Sequence, residues 1–212
     1  MKIVSRNKLY LSCLKSQTKY FINQFKINSM GAIRSRAVSN DDDIIKKFPH
    51  FTPEDVIKWT QSFHCIYPKG YMNKDELNQL FQTFFPFGNP SRFTANLFRT
   101  VNISGNNKID LNEILIAFSI LSKGSMFEKL RWIFRFYDSD NDGVVSKMEI
   151  RNIVEALYEM VGPTFDLTID VKAAVDEIFC ELENESGFLT FDDFKRLAQS
   201  ENSAFKTIAL IN

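Results

Sequence analysis

The chain has 212 residues, 44% of them hydrophobic and 25% charged, and its 26 basic side chains balance 26 acidic ones. That length is enough for a sizeable core in one or two domains, and no run of 18 apolar residues is present to span a membrane as a helix. Three scattered cysteines (Cys13, Cys65, Cys180) match neither a disulfide framework nor a zinc-ligand spacing, and a reducing interior suits them.

The zero net charge conceals an asymmetry. Residues 1–29 hold six basic side chains and no carboxylate, which leaves 20 basic against 26 acidic residues in the rest. An acidic body of this kind gives no footing for nucleic acid. The arm lacks a small-residue cleavage motif, and only one of its six basic residues is arginine, which counts against a mitochondrial presequence. Residues 1–49 are therefore expected to be a largely disordered extension and polar lead-in. Within them Met30–Ser35 reads MGAIRS, the acceptor pattern for N-myristoylation, although an internal glycine has no free amine to acylate.

Residues 50–122 carry two helix–loop–helix patterns. Thr52 and Asp55 are spaced as a capping box, with Pro53 at the first helical position. Val56, Trp59 and Phe63 mark the apolar face of the helix that follows. The first loop, Cys65–Glu76 (CIYPKGYMNKDE), puts cysteine, tyrosine and lysine where a cation needs oxygens, and Pro68 stiffens it. It is expected to bind no metal. The second loop, Asn102–Glu113 (NISGNNKIDLNE), sets Asn102, Ser104 and Asn106 at positions 1, 3 and 5 and Lys108 at 7. Asp110 and Glu113 keep positions 9 and 12. Asn107 replaces the turn glycine, which asparagine tolerates. Two carboxylates predict a weak calcium site that Mg²⁺ can tune.

Residues 123–212 hold the second pair of patterns and a C-terminal helix. Leu130, Ile133, Phe134 and Tyr137 recur at helical spacing before Asp138–Glu149 (DSDNDGVVSKME), and Ile150, Ile153, Val154 and Leu157 after it. This loop fits the twelve-residue EF-hand at every demanding position. Asp138, Asp140 and Asp142 converge from positions 1, 3 and 5, and Gly143 bends the chain. Val144 offers a backbone carbonyl, Ser146 a hydroxyl acting through water, and Glu149 two oxygens. These are hard donors for Ca²⁺. The fourth loop, around Gly187, starts at Leu182 or is one residue short from Glu183, and either register spoils the cage. Met72, Ile109, Val145 and Leu189 all fall at position 8 and are apolar, so they are expected to meet in short two-stranded contacts within each pair. The expected fold is all-α, with four EF-hands in two pairs.

The four hands in order resemble the neuronal calcium sensor family of recoverin-, frequenin- and visinin-like proteins. The segments FFPFGNPSRF (84–93), GSMFEKLRWIFRFYD (124–138) and EALYEMVG (155–162), together with the proline-disabled first loop, carry the likeness. Family members usually bind calcium through the second and third loops, many also through the fourth; only the third is intact here. The resemblance implies a sensor that offers an apolar groove to a helix of a target protein, such as a kinase, cyclase, receptor or ion channel. It assigns Trp59, Phe63, Phe81, Phe84, Phe85, Leu97 and Phe98 to that groove; ordinary core is the alternative for each. It also makes Gly31 the lipid acceptor of a chain starting at Met30. That form would touch membranes peripherally, with Arg34 and Arg36 aiding a single acyl chain, whereas the chain from Met1 would be cytoplasmic. A regulatory subunit largely independent of calcium, as for an ion channel or a light chain, is the rival. A calcium buffer comes third. An enzyme comes last, because His50 and His64 have no partnered nucleophile or HExxH spacing.

Overall fold

The computed structural model describes residue 48 and residues 51–162, 170–182 and 186–200. The basic arm, Gly31, Pro163, Glu183 and the expected C-terminal helix past Gln199 lie outside those residues.

Four helices form the first pair: α1 (Pro53–Ile66), α2 (Lys74–Phe84), α3 (Ser91–Val101) and α4 (Leu111–Lys123). Four form the second: α5 (Met126–Tyr137), α6 (Lys147–Val161), α7 (Val171–Glu181) and α8 (Phe191–Gln199). Among the described residues the fold is all-α apart from four two-residue strands. β1 (Tyr71–Met72) pairs antiparallel with β2 (Ile109–Asp110), and β3 (Val145–Ser146) with β4 (Phe188–Leu189). Met72 lies opposite Ile109 and Val145 opposite Leu189, as the apolar eighth positions predict. All four side chains are at most 1% exposed, so each loop contributes a knob to its partner's core.

The helix faces follow the sequence period. Thr52 Oγ1 accepts the Asp55 N–H at 3.2 Å and Pro53 opens α1, whose Val56, Trp59 and Phe63 are buried. Leu130, Ile133, Phe134 and Tyr137 on α5, and Ile150, Ile153, Val154 and Leu157 on α6, all point into the core. Val175, Ile178 and Phe179 do so on α7.

Two clusters result, one per pair, but they do not follow the chain strictly. Phe85 and Phe93, from the first pair, belong to the second pair's cluster. Phe81, Leu97 and Trp132 touch both clusters. Backbone contact closes the seam, because Asn89 N–H donates to Glu159 O at 2.7 Å. A Cβ on Gly88 would stand 1.9 Å from Met160 O, so only glycine permits this approach. Arg92 adds an exposed ion pair to Glu159 at 2.7 Å, a minor contribution at the surface.

Candidate metal centre

The third loop is shaped by its own carboxylates. α5 ends by delivering Asp138, whose N–H still donates to Phe134 O at 2.8 Å. The Asp138 carboxylate accepts the N–H groups of Asp142 (3.1 Å) and Gly143 (3.2 Å), curling the chain back over it. Asn141 and Gly143 take φ of 60° and 88°, conformations that asparagine and glycine adopt most readily. Glu149 closes the ring from the start of α6. Its Oε1 accepts Ser139 N–H at 2.7 Å, and its Oε2 accepts the Ser146 N–H and hydroxyl, both at 2.8 Å.

Asp138, Asp140 and Glu149 thereby bring ligand oxygens within 4.8 Å of one another. Oxygens facing across a Ca²⁺ ion bonded at about 2.3–2.6 Å stand about 4.6–5.2 Å apart, so the cluster has the right size as well as the right donors. The other predicted ligands are placed differently. Asp142 Oδ1 accepts Val144 N–H at 3.0 Å, and the Ser146 hydroxyl serves Glu149. Burial pushes the Asp138 carboxyl above its usual range, opposed by the Gly143 and Asn141 backbone and reinforced by the charges of Asp142 and Glu149. Crowded, partly desolvated carboxylates of this kind suit a cation.

The second loop repeats the scaffold with less charge. Glu113, 6% exposed, accepts Ser104 N–H at 2.9 Å through Oε1 and Asp110 N–H at 3.1 Å through Oε2. Asn106 Oδ1 accepts Lys108 N–H at 2.9 Å, as Asp142 does for Val144. Asn102 is buried and accepts the Ser104 hydroxyl at 3.2 Å. Gly105 and Asn107 hold the positive φ values (68° and 60°), so glycine and asparagine exchange places relative to Asn141 and Gly143. The Lys108 ammonium rests 4.5 Å from the Tyr71 ring centroid, where the aromatic face attracts it.

All four loops share one device that spacing rules for cations overlook. Asn73 with Glu76, Asp110 with Glu113, Ser146 with Glu149, and Thr190 with Asp193 each form a capping box at positions 9 and 12. The signal was legible as a capping residue three places before an acid, just ahead of an apolar run. In loops 1 and 4 this device and the strand pair persist while the first positions, Cys65 and Leu182, offer no hard oxygen from their side chains.

The seven aromatic and aliphatic groove candidates divide. Trp59, Phe63, Phe85 and Phe98 are core side chains in this conformation, so the core alternative describes them here. Large rings at helical spacing bury most area by facing one another, as Phe63 and Tyr67 do at 5.1 Å. Phe81, Phe84 and Leu97 are partly buried, and Phe87 is 73% exposed. Trp59 Nε1 is buried without a hydrogen-bond partner among the described residues.

One residue with no local signature also reaches the third loop. Arg99, on α3, donates to Asn141 Oδ1 at 3.2 Å and to the carbonyls of Arg135 and Phe136, both at 3.0 Å.

The EF-hand domain pair family matches residues 115–157, the stretch from α4 through α6 that contains the third loop. Neuronal calcium sensor 1 of Lymnaea stagnalis is 31% identical over 185 residues, covering 85% of this chain and 97% of that protein. S-modulin of Aquarana catesbeiana is 30% identical over 134 residues, covering 63% of this chain and 66% of its own. With the paired hands, the strand contacts and the third-loop carboxylates in place, the chain belongs to the neuronal calcium sensor family.

Proposed function

We propose that the chain senses calcium chiefly through Asp138–Glu149 and answers by offering apolar surface to a helix of a target protein. The observation that carries this reading is the three-carboxylate cluster of Asp138, Asp140 and Glu149. As a member of this family the chain is a regulator rather than an enzyme. A bound Ca²⁺ would neutralise charges that otherwise repel one another. Asp138 ends α5 and Glu149 begins α6, so both helices are tied to one cluster, and their angle is set there. α5 carries Trp132, which touches both core clusters together with Phe81 and Leu97. A change of angle therefore loosens the seam where these side chains meet, and Phe84 lies beside it. The indole N–H of Trp59, without a partner among the described residues, marks a second place where an incoming backbone carbonyl would be welcome.

The second loop serves as a weaker calcium or Mg²⁺ site, since its scaffold is formed but only Asp110 and Glu113 are charged. Gly31 is the lipid acceptor in chains that begin at Met30, which would place those chains at membrane surfaces and the longer ones in the cytoplasm. A calcium-independent regulatory subunit is the second reading. It is favoured by loops 1, 2 and 4, whose shape rests on capping boxes and strand pairs. Capture of target proteins from neural extract, in calcium and in chelator, separates the two. The sensor reading expects at least a tenfold preference for calcium. Equal capture in chelator supports the subunit.

A further inference from the structure

We infer that Arg99 is a positioning residue for the third loop, acting on it from the opposite EF-hand pair; this rests on reading Asp138–Glu149 as the cation site. α3 belongs to the first pair and runs directly into the second loop. The two terminal nitrogens of Arg99 nevertheless donate to the third, while its buried Nε has no partner among the described residues. Two acceptors, the Arg135 and Phe136 carbonyls, lie in the last turn of α5, where carbonyls have no helical N–H to receive. A cation there also complements the negative end of the helix. The remaining acceptor is Asn141 Oδ1, on the left-handed residue between Asp140 and Asp142.

One planar fork thus fixes both the helix end that delivers Asp138 and the turn that sets the next two aspartates. Lysine cannot reproduce this, because an ammonium is a point donor without the fork geometry. A cleft of about 710 Å³ opens between the second and third loops, and Arg99 lines it with Asn102, Gly105 and Asn141. The two loops therefore face one space with this side chain between them. Burial lowers the guanidinium's pKa, while Asp138, Glu149 and Asp140 favour its charged form, so the carboxylate cluster lies within its field. Among the described residues the Arg92 side chain, on the same helix, bridges Glu155 and Glu159 at the surface, which provides a control.

Calorimetric calcium titration of the full chain tests the assignment, using Arg99→Lys, Asn141→Gly and their double variant, with Arg92→Met alongside. Asn141→Gly keeps the left-handed backbone and removes only the amide. Loss of charge-assisted bonds predicts that Arg99→Lys weakens tight binding about 5- to 30-fold, and Asn141→Gly about 2- to 5-fold. The double variant should lose less than the product of the two, since both remove one shared bond. Arg92→Met should stay within twofold of the unmodified chain. If Arg99→Lys does not fold, Asn141→Gly carries the test alone, and an affinity unchanged from the unmodified chain then overturns the inference. An Arg99 variant within twofold of the unmodified chain overturns the inference, as does an equal loss from Arg92→Met. Absence of tight binding in the unmodified chain is a distinct outcome that refutes the third-loop site and this role with it.

Discussion

Position 12 performs two tasks in the second and third loops. Both oxygens of Glu149 already accept hydrogen bonds, closing the loop and capping α6. Glu113 does the same with one fewer bond. The capping task explains why the acid is present in the first and fourth loops, whose first positions offer no side-chain oxygen. It also separates stability from binding. Glu113→Gln keeps one carbonyl acceptor but turns an amide NH₂ toward the other N–H, and should cost about 1–3 kcal/mol in thermal unfolding. Its calcium stoichiometry at micromolar levels should equal that of the unmodified chain, because the second loop has too little charge to fill there. A fall from two bound ions to one would show that Asn102, Ser104 and Asn106 make a working cage. The ligand residues were legible because an EF-hand is local, with every donor inside twelve positions. Arg99 was not, because its acceptors lie 36 to 42 residues away and a lone arginine on a helix has no pattern.

At the scale of elements, the two-residue strands join each loop to its partner. Val145 and Leu189 face each other across β3 and β4, and both are fully buried. Leu189→Ala should therefore destabilise the chain by about 2–5 kcal/mol in urea unfolding. It should also weaken calcium binding at the third loop, because β3 holds Ser146 and follows Val144 directly. Destabilisation with unchanged affinity would mean that the fourth loop braces the fold but not the site. Helix faces and strand partners were readable in the sequence, since period and apolar eighth positions report burial against any neighbour. Groove and core were not separable by those signals. Phe63 and Phe81 both lie on apolar helix faces, yet one is fully buried and the other lies partly buried on the seam. Which neighbour covers a face is decided by tertiary packing, and period does not encode it.

At the scale of the whole molecule, the 84–93 segment is one of the contacts that join the two EF-hand pairs. Phe85 and Phe93 enter the second cluster, and Gly88 lets its backbone meet the end of α6. Gly88→Ala should force that contact apart and cost about 1–3 kcal/mol, read as a lowered thermal midpoint. An unchanged midpoint would mean that the seam yields freely. Under the proposed sensor reading, the two pairs would shift relative to each other when the third loop fills, and the strength of this seam would set how readily they do so. The most direct test of the account is calorimetric titration of the full chain and of Glu149→Gln with calcium. One tight site of about 10⁻⁷–10⁻⁵ M is predicted for the unmodified chain, with most of its heat lost in the variant. A variant that binds calcium as tightly and with as many ions as the unmodified chain would contradict it.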